Sequence, residues 1–239
     1  MPRDASTRPG QPYGQLKHLP VTPALREYLL RCATPHDPVL ASLYEETAAL
    51  GDIAVMAVPI EETALLTLLT RLLAATTAVD IGTFTGLSAL AMAYGLAPGG
   101  RVITCDVTDR WAGTAREHWE RAGVSDRIDL RVAPADEVLD GLPAGTVVDI
   151  AFLDADKEGY CRWYRRLVPM LRPGGLLVAD NVFLSGYVLA PELAAEGAER
   201  RSAEALRTFN AMVAADERVE ALPLPIADGL TIARKRSAL

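Results

Sequence analysis

Oxygen-bearing side chains stand at the ends of two short apolar runs. Asp154 closes the run VVDIAFLD, and the pair Asp180-Asn181 closes the run GGLLVADN. If these runs are neighbouring parallel strands, about 4.8 Å apart, side chains at their tips converge on one point. Carboxylate and amide oxygens suit Mg²⁺, Mn²⁺ or Ca²⁺ better than zinc. The three residues are therefore predicted to bind one divalent cation, with Mg²⁺ as the first choice.

A lysine follows the first of these carboxylates by three residues. Lys157 stands in the sequence DADK, after Asp154. A lysine on a protein surface is usually a solvated charge. Beside a divalent cation its ammonium form is disfavoured by like charge, and the neutral amine can act as a general base. Lys157 is therefore a candidate catalytic residue.

A glycine-containing loop follows the first apolar run, in the sequence DIGTFTGLS at residues 80–88. Gly82 and Gly86 allow a tight turn and a close approach of the backbone to a ligand. Asp106 ends the next apolar run, where a carboxylate can accept hydrogen bonds from ribose hydroxyls. Together these features predict a nucleoside-containing cofactor. The spacing GxxxG lacks the third glycine of a dinucleotide loop, which argues against NAD.

The elements that position these residues follow a regular pattern. From residue 78, short apolar runs alternate with helical stretches, as in βαβ units that build a parallel sheet. After a helix around residues 203–214, VEALPLPI and GLTIARK flank the turn 227–229 and predict an antiparallel hairpin at one sheet edge. Three helices are predicted before the sheet, beginning at Pro23, at Pro38 and after Pro59.

These elements predict an α/β fold with a doubly wound, mostly parallel, seven-stranded sheet. Residues 1–17 are rich in Pro, Gly and polar side chains and are predicted to be a flexible arm. Residues 18–239 are predicted to form one domain, with a helical cap at 18–77 and a Rossmann-like core at 78–239. A chain of 239 residues, half of them hydrophobic, is long enough for a full core.

Composition excludes several classes of function. The formal net charge is -7 and no basic stripe is visible, so a nucleic-acid partner is not expected. Three well-separated cysteines are typical of free thiols in a reducing compartment, which predicts a cytoplasmic protein. The most apolar segment, TALLTLLTRLLAATTAV, is interrupted by Arg71 and is predicted to be a buried helix leading into a strand, with no membrane partner.

Three motifs together resemble a known family. The sequence DIGTFTGLSALAMA, Asp106 one strand later and the turn LRPGGLL at 171–177 resemble the class I S-adenosylmethionine-dependent methyltransferases. The resemblance is closest to the metal-dependent O-methyltransferases, which include the catechol and caffeoyl-coenzyme A enzymes, and it covers residues 40–236. The stretch 56–62 resembles the segment that covers the cofactor there. The family usually continues Glu-Gly-Gln, whereas this chain has Glu62-Thr63-Ala64.

The resemblance implies roles for individual residues. It implies that Asp154, Asp180 and Asn181 hold the metal, that Lys157 is the general base beside catalytic Asp154, and that the protein is a homodimer. It also implies a set of residues that bind S-adenosylmethionine: Met56, Val58, Glu62, Asp80, Gly82, Thr83, Phe84, Ser88, Asp106, Ala135 and Asp154.

The expected reaction is therefore methyl transfer from S-adenosylmethionine to one hydroxyl of a small, catechol-like acceptor with two adjacent oxygens. The loop 183–188 and the N-terminal helices are the candidate walls of the acceptor site. In the family that the chain resembles, plant enzymes that accept a coenzyme A thioester have an aromatic and basic stretch before the penultimate strand. Here that region is the Ala- and Glu-rich ELAAEGAERRSAEALR, so the resemblance favours a small free acceptor over a thioester. Two alternatives stay open: a methyltransferase acting on a carrier-bound hydroxyacyl group, and an NAD-dependent oxidoreductase.

Overall fold

The computed structural model describes residues 21–237. The described residues divide into two units, with the division between Pro35 and His36. In the first unit, α1 (Pro23–Cys32) begins at the predicted proline, and the Thr22 side chain accepts a hydrogen bond from the Leu25 amide. The predicted arm, residues 1–17, lies outside the described residues. The predicted domain boundaries stay a prediction.

The second unit contains a central sheet flanked by helices. Its helices are α2 (Pro38–Ala48), α3 (Ile60–Leu72), α4 (Leu87–Gly95), α5 (Ala112–Arg121), α6 (Ala135–Asp140), α7 (Tyr160–Met170) and α8 (Ala198–Ala214). Its strands are β1 (Thr77–Ile81), β2 (Arg101–Asp106), β3 (Ile128–Val132), β4 (Val148–Leu153), β5 (Leu171–Ala179), β6 (Val219–Leu224) and β7 (Leu230–Lys235).

The seven strands lie in the order β3-β2-β1-β4-β5-β7-β6. Strands β1 to β5 are parallel, whereas β7 is antiparallel to β5 and pairs with β6 as a hairpin. The strand order reverses between β1 and β4, where a doubly wound sheet opens a crevice at its carboxyl edge. The predicted fold class is confirmed.

Two elements are longer than the sequence pattern indicated. Strand β5 begins at Leu171, so the Pro-Gly-Gly segment predicted as a turn belongs to the strand. The pairing with β4 shifts register between Val148 and Ile150, and Gly174 has a φ of +78°. A bulge of this kind lets a strand continue through residues that otherwise favour a turn. Helix α8 likewise begins five residues earlier than expected, at Ala198.

A buried carboxylate ties the beginnings of three strands together. Asp149 Oδ2 accepts hydrogen bonds from the amides of Thr76 (2.7 Å) and Thr77 (2.9 Å). Its Oδ1 accepts a 2.6 Å hydrogen bond from Arg172 Nε. Asp149 lies in β4, the two threonines lead into β1 and Arg172 lies in β5. The arrangement fixes the amino ends of the strands whose carboxyl ends form the crevice.

The segment Gly51–Leu72 has the length and apolarity of a membrane span. It consists of a 3₁₀ helix (Gly51–Met56), an extended residue at Ala57 and then α3. The 13 residues of α3 rise about 20 Å, at about 1.5 Å per residue, which is short of a hydrocarbon core of about 30 Å. Leu66 and Thr70 of α3 are fully or almost fully buried. We therefore interpret α3 as a core helix that leads into β1.

Candidate active site and cofactor cleft

Two predicted ligands occupy adjacent strand tips. Asp154 directly follows β4, and its amide donates a 2.9 Å hydrogen bond to the carbonyl oxygen of Ile81 at the end of β1. Asp180 directly follows β5, and its amide donates a 3.0 Å hydrogen bond to the Leu153 carbonyl oxygen. Each residue is thus held by the neighbouring strand. The parallel register brings Asp154 and Asp180 to the same edge of the sheet.

A cavity of about 970 Å³ lies over this edge. Twelve residues that the sequence singled out line it: Met56, Val58, Gly82, Thr83, Phe84, Ser88, Asp106, Ala135, Asp154, Lys157, Asp180 and Asn181. Two further predicted residues, Glu62 and Asp80, are fully buried and are not among the lining residues. The cavity thus joins the predicted cofactor loop, the predicted metal ligands and the lysine in one continuous space.

The loop after β1 depends on its two glycines. Gly82 has a φ of +107°, and a Cβ there would lie 2.2 Å from the carbonyl oxygen of Asp154. Gly86 has a φ of +90°, and Trp119 Nε1 donates a 3.2 Å hydrogen bond to its carbonyl oxygen. Both positions combine a left-handed backbone with a close neighbour, so only glycine fits them without strain. The backbone of the loop therefore approaches the cavity closely.

Asp106, at the end of β2, holds this loop in place. Its Oδ2 accepts a 2.9 Å hydrogen bond from the Phe84 amide, and its Oδ1 accepts a 3.2 Å hydrogen bond from the Thr108 amide. The Phe84 ring in turn packs edge-on against Trp111, with ring centroids 5.5 Å apart. Each carboxylate oxygen has two lone pairs, so both retain acceptor capacity for a ligand in the cavity.

Asp80 supports the loop from below. Its Oδ2 accepts hydrogen bonds from Ser88 Oγ (3.0 Å) and Thr104 Oγ1 (2.8 Å). Burial raises the pKa of Asp80 to about 7, and the charges of Asp154 and Asp106 add to this, while the two hydroxyl groups oppose it. Asp80 therefore organises the beginning of the loop, and its role in cofactor binding stays a prediction.

Carboxyl groups crowd together beneath the cavity. Burial raises the pKa of Asp180, and the nearby Asp154 carboxylate raises it further. Burial and the charges of Asp180 and Asp154 likewise raise the pKa of Glu62. Within residues 21–237, neither carboxyl oxygen of Glu62 has a hydrogen bond of ordinary geometry. Carboxyl groups crowded in this way favour a bound cation, which offsets their mutual repulsion.

The candidate metal ligands are two carboxylates and one amide. In the described part of the chain, no three or more His, Cys, Asp or Glu side chains are grouped to hold a metal ion. The candidate set therefore depends on Asn181, which follows Asp180 with a φ of +55°. The backbone N–H of Asn181 donates a 2.5 Å hydrogen bond to Asp180 Oδ1. Carboxylate and amide oxygens suit a cation that prefers oxygen ligands, and metal binding by these residues stays a prediction.

Lys157 lies beside these carboxylates. Its Nζ donates hydrogen bonds to Asp154 Oδ1 (2.9 Å) and to the hydroxyl of Tyr160 (2.9 Å). The side chains of Lys157 and Asp154 are 15% and 13% exposed, so this contact is largely shielded from solvent. Tyr160 was not predicted from the sequence. Its position six residues after Asp154, where the next helix begins, was the available signal.

The predicted acceptor loop divides between two cavities. Leu184 and Ser185 line the cavity described above, whereas Phe183 and Val188 line a second cavity beside α8 and β6. Ser185 donates a 2.5 Å hydrogen bond from its amide to Oδ1 of Asp228, in the hairpin turn. Asp228 also lines the first cavity. The sequence identified this residue only as part of a turn.

Comparisons with known proteins agree with this geometry. The family model described as O-methyltransferase matches residues 31–236. Catechol O-methyltransferase domain-containing protein 1 of Mus musculus is 40% identical over 217 residues, covering 88% of this chain and 79% of the mouse protein. Caffeoyl-CoA O-methyltransferase of Eucalyptus gunnii is 33% identical over 235 residues, covering 92% and 90% of the two chains.

Solved structures with a similar fold include complexes with the cofactor or its product. The O-methyltransferase TomG from Streptomyces achromogenes, in complex with SAM, has a TM-score of 0.78 at 27% identity, covering 90% of this chain and 96% of TomG. The O-methyltransferase from Bacillus cereus, in complex with SAH, has a TM-score of 0.78 at 27% identity, covering 89% and 97% of the two chains.

The strand tips, the glycine loop and these relatives point to the same chemistry. They support binding of S-adenosylmethionine and leave the alternative of an NAD-dependent oxidoreductase without support. This chain belongs to the S-adenosylmethionine-dependent O-methyltransferases of the catechol and caffeoyl-coenzyme A type.

Proposed function

We propose that this protein methylates one hydroxyl of a small acceptor that carries two adjacent oxygens, and that it requires a divalent cation, with Mg²⁺ preferred over Mn²⁺ or Ca²⁺. One observation carries the proposal. Asp154, Asp180 and Asn181 line one cavity together with Lys157 and with the loop that contains Gly82. An acceptor oxygen held near Asp154, Asp180 and Asn181 would therefore lie next to a cofactor held by the loop.

The residues around the loop are suited to the cofactor. Asp106 has lone pairs free to accept hydrogen bonds from ribose hydroxyls. Gly82 and Thr83 line the cavity, so the backbone of the loop borders the space proposed for the cofactor. Apolar groups from two other segments, Met56 and Val58 before α3 and Ala135 in α6, provide walls that exclude water.

The donor set defines where the cation binds. The carboxylates of Asp154 and Asp180 and the amide oxygen of Asn181 would hold it, and the remaining coordination positions are left for the acceptor. When bound, the cation supplies Lewis-acid stabilisation of negative charge on the acceptor oxygens. It also offsets the repulsion between Asp154 and Asp180 that raises the pKa of Asp180.

Lys157 is the proposed general base. Its Nζ would take the proton from the acceptor hydroxyl, and the oxygen would donate an electron pair to the methyl carbon. The bond between carbon and sulfur breaks as the bond between carbon and oxygen forms, which leaves a neutral thioether. Positioning two reactants in this way contributes about 7–11 kcal/mol to lowering the barrier. Asp154 Oδ1 accepts a hydrogen bond from the lysine and keeps it beside the proposed cation site.

The charges of the cavity favour a small free acceptor. Among its described lining residues the basic side chains are Lys157 and Arg162, and Arg162 Nε lies 2.8 Å from Asp136 Oδ2 in an ion pair. These residues offer little to the phosphates of a coenzyme A thioester. Names of relatives include both catechol and caffeoyl-CoA enzymes. A carrier-bound hydroxyacyl group remains the alternative acceptor.

Chelation tests the proposal. Methyl transfer from labelled S-adenosylmethionine to a panel of catechols should stop in EDTA and recover when Mg²⁺ is added in excess. Monomethoxyphenols, which lack the second free hydroxyl, serve as the matched control acceptors and should react far more slowly. Turnover that is unchanged by EDTA would reject the metal-dependent scheme. The homodimer and the cytoplasmic location remain predictions; size-exclusion chromatography with light scattering tests the first.

A further inference from the structure

Tyr160 carries a hydroxyl at a junction that the proposed mechanism uses only indirectly. It begins α7, is fully buried, and lies within hydrogen-bond distance of three groups. These are Lys157 Nζ (2.9 Å), the Leu153 carbonyl oxygen (3.0 Å) and the Asp180 carbonyl oxygen (3.1 Å). The two carbonyl groups lie at the tips of β4 and β5.

Counting hydrogens assigns the direction of these bonds. The tyrosine hydroxyl has one hydrogen, which it donates to one of the two strand-tip carbonyl groups. An oxygen lone pair then remains to accept a hydrogen from Lys157 Nζ. Tyr160 therefore connects the lysine to the strand ends from which Asp154 and Asp180 extend.

The ring of Tyr160 is confined by its neighbours. It packs edge-on against Phe209, with centroids 5.4 Å apart, and at a tilt against Trp163, at 6.5 Å. Gly159 allows this packing, since a Cβ there would lie 2.4 Å from the Trp163 ring. Because the ring cannot swing, its hydroxyl is a fixed point against which the flexible lysine side chain is held.

We propose that Tyr160 is a positioning residue for methyl transfer, whose hydroxyl fixes Lys157 Nζ beside Asp154. The inference rests on the proposed function, in which Lys157 takes the proton from the acceptor. The neutral amine that takes the proton has two hydrogens and one lone pair, and Asp154 accepts only one of these hydrogens. The second contact, from Tyr160, restricts the lysine to one orientation.

Tyr164 offers a matched control one turn later on α7. It is equally buried and packs edge-on against the same Phe209, with centroids 5.8 Å apart. Its hydroxyl donates a 2.9 Å hydrogen bond to Asp216 Oδ2 and makes no contact with Lys157. Tyr160→Phe and Tyr164→Phe therefore remove the same atom from similar surroundings.

Steady-state kinetics of the two variants test the role. Tyr160→Phe should lower kcat for catechol methylation about 10- to 100-fold, the loss typical of a misplaced catalytic group. Its KM for S-adenosylmethionine should stay near that of the parent, and Tyr164→Phe should retain the parental kcat. Equal kcat values for both variants, or a change only in KM, would overturn the inference.

A thermal double-mutant cycle gives a readout independent of activity. Tyr160→Phe should lower Tm less in a Lys157→Met background than in the parent, because the contact with the lysine is already lost. The same comparison for Tyr164→Phe should be additive. An additive result for Tyr160→Phe would remove Lys157 as its partner. If no acceptor is methylated at all, the proposed function fails while this cycle still tests the contact.

Discussion

Gly82 faces the backbone of Asp154 so closely that a Cβ on the glycine would lie 2.2 Å from the Asp154 carbonyl oxygen. The glycine belongs to the cofactor loop, and the aspartate belongs to the candidate metal site. The contact joins backbone to backbone, so neither side can yield by rotating a side chain. Any displacement of the loop therefore displaces the tip of β4 as well.

Replacing this glycine should damage both sites together. Gly82→Ala introduces the clash at a φ of +107°, and we expect a loss of about 1–3 kcal/mol of unfolding free energy, as for overpacked cores. S-adenosylmethionine binding, measured by calorimetry, should fall below detection. Gly113→Ala is the matched control, because a Cβ there meets nothing within 4 Å. Wild-type affinity in Gly82→Ala would contradict the close approach.

Asp106 should determine cofactor affinity through its charge. Asp106→Asn keeps an oxygen that can accept the hydrogen bond from the Phe84 amide, but it weakens the proposed bonds to the ribose. Affinity for S-adenosylhomocysteine should drop about 10- to 100-fold, since hydrogen bonds to charged groups contribute about 1.5–3 kcal/mol. Asp126→Asn, on the remote 3₁₀ turn before β3, is the control. An unchanged Kd would exclude the ribose contact.

Asp154 and Asp180 should both be needed for turnover but should differ in their effect on the cofactor. Asp154→Ala and Asp180→Ala each remove one proposed ligand, and methyl transfer should be abolished in both. S-adenosylmethionine binding should survive better in Asp180→Ala, because Asp154 lies against the cofactor loop. Calorimetry with S-adenosylmethionine in EDTA separates the two effects. Residual Mg²⁺-stimulated turnover in either variant would remove that residue from the cation site.

The Asp228 carboxylate should influence the acceptor more than the cofactor. It accepts the hydrogen bond from the Ser185 amide that fixes the loop after Asn181. Asp228→Ala should raise KM for the acceptor about fivefold, equivalent to one hydrogen bond of about 1 kcal/mol. Asp228→Asn retains an accepting oxygen and should stay close to the parent. Identical effects of the two substitutions would show that charge, not the loop contact, matters.

Acid should weaken the fold through Asp149. Burial, the largest single influence, raises the pKa of Asp149, but the amides of Thr77 and Thr76 and the Arg172 guanidinium together lower it below the ordinary 3.8. The unfolded chain therefore binds more protons between the two pKa values. The contribution of Asp149 to the free energy of unfolding is complete at pH values above its pKa in the unfolded chain. It is lost as the pH falls through its lower pKa in the folded protein.

Urea unfolding from pH 7 to pH 3 tests this contribution. At pH 7, Asp149→Asn should cost about 2–3 kcal/mol, because it leaves buried donors poorly paired. The difference from the parent should shrink below about pH 4 as the parental carboxylate is protonated. Glu220→Gln, which breaks an exposed pair with Arg234, should cost at most about 1 kcal/mol. A difference that stays constant with pH would contradict the lowered pKa.

The sequence pattern predicted most of the sheet because strand and helix periods are local. The five parallel strands, the hairpin around Asp228-Gly229 and the helices beginning at Pro23 and Pro38 all lie where the pattern placed them. The first half of β5 was missed because Pro173 and Gly174 favour a turn. Only the pairing of Leu171 with Val148 of β4, which is a tertiary contact, extends the strand through them.

The site was predictable where function depends on position along a strand. Asp106, Asp154 and Asp180 end or directly follow strands, and parallel register brings them to one edge. The hydroxyl of Tyr160 and the carboxylate of Asp228 were missed, because their contacts depend on how α7 and the hairpin turn pack. The burial of Glu62 was also not predicted, since a helical pattern does not show which other elements pack against the first turn of α3.

The position of β7 between β5 and β6 has a consequence for how the protein is made. Residues 180–229 separate β5 from the strand that completes its pairing. Ordering such a distant contact is entropically costly and slow. On the ribosome, the edge of β5 stays open to other chains until that last strand has emerged, so chaperone dependence during synthesis should concentrate in this interval.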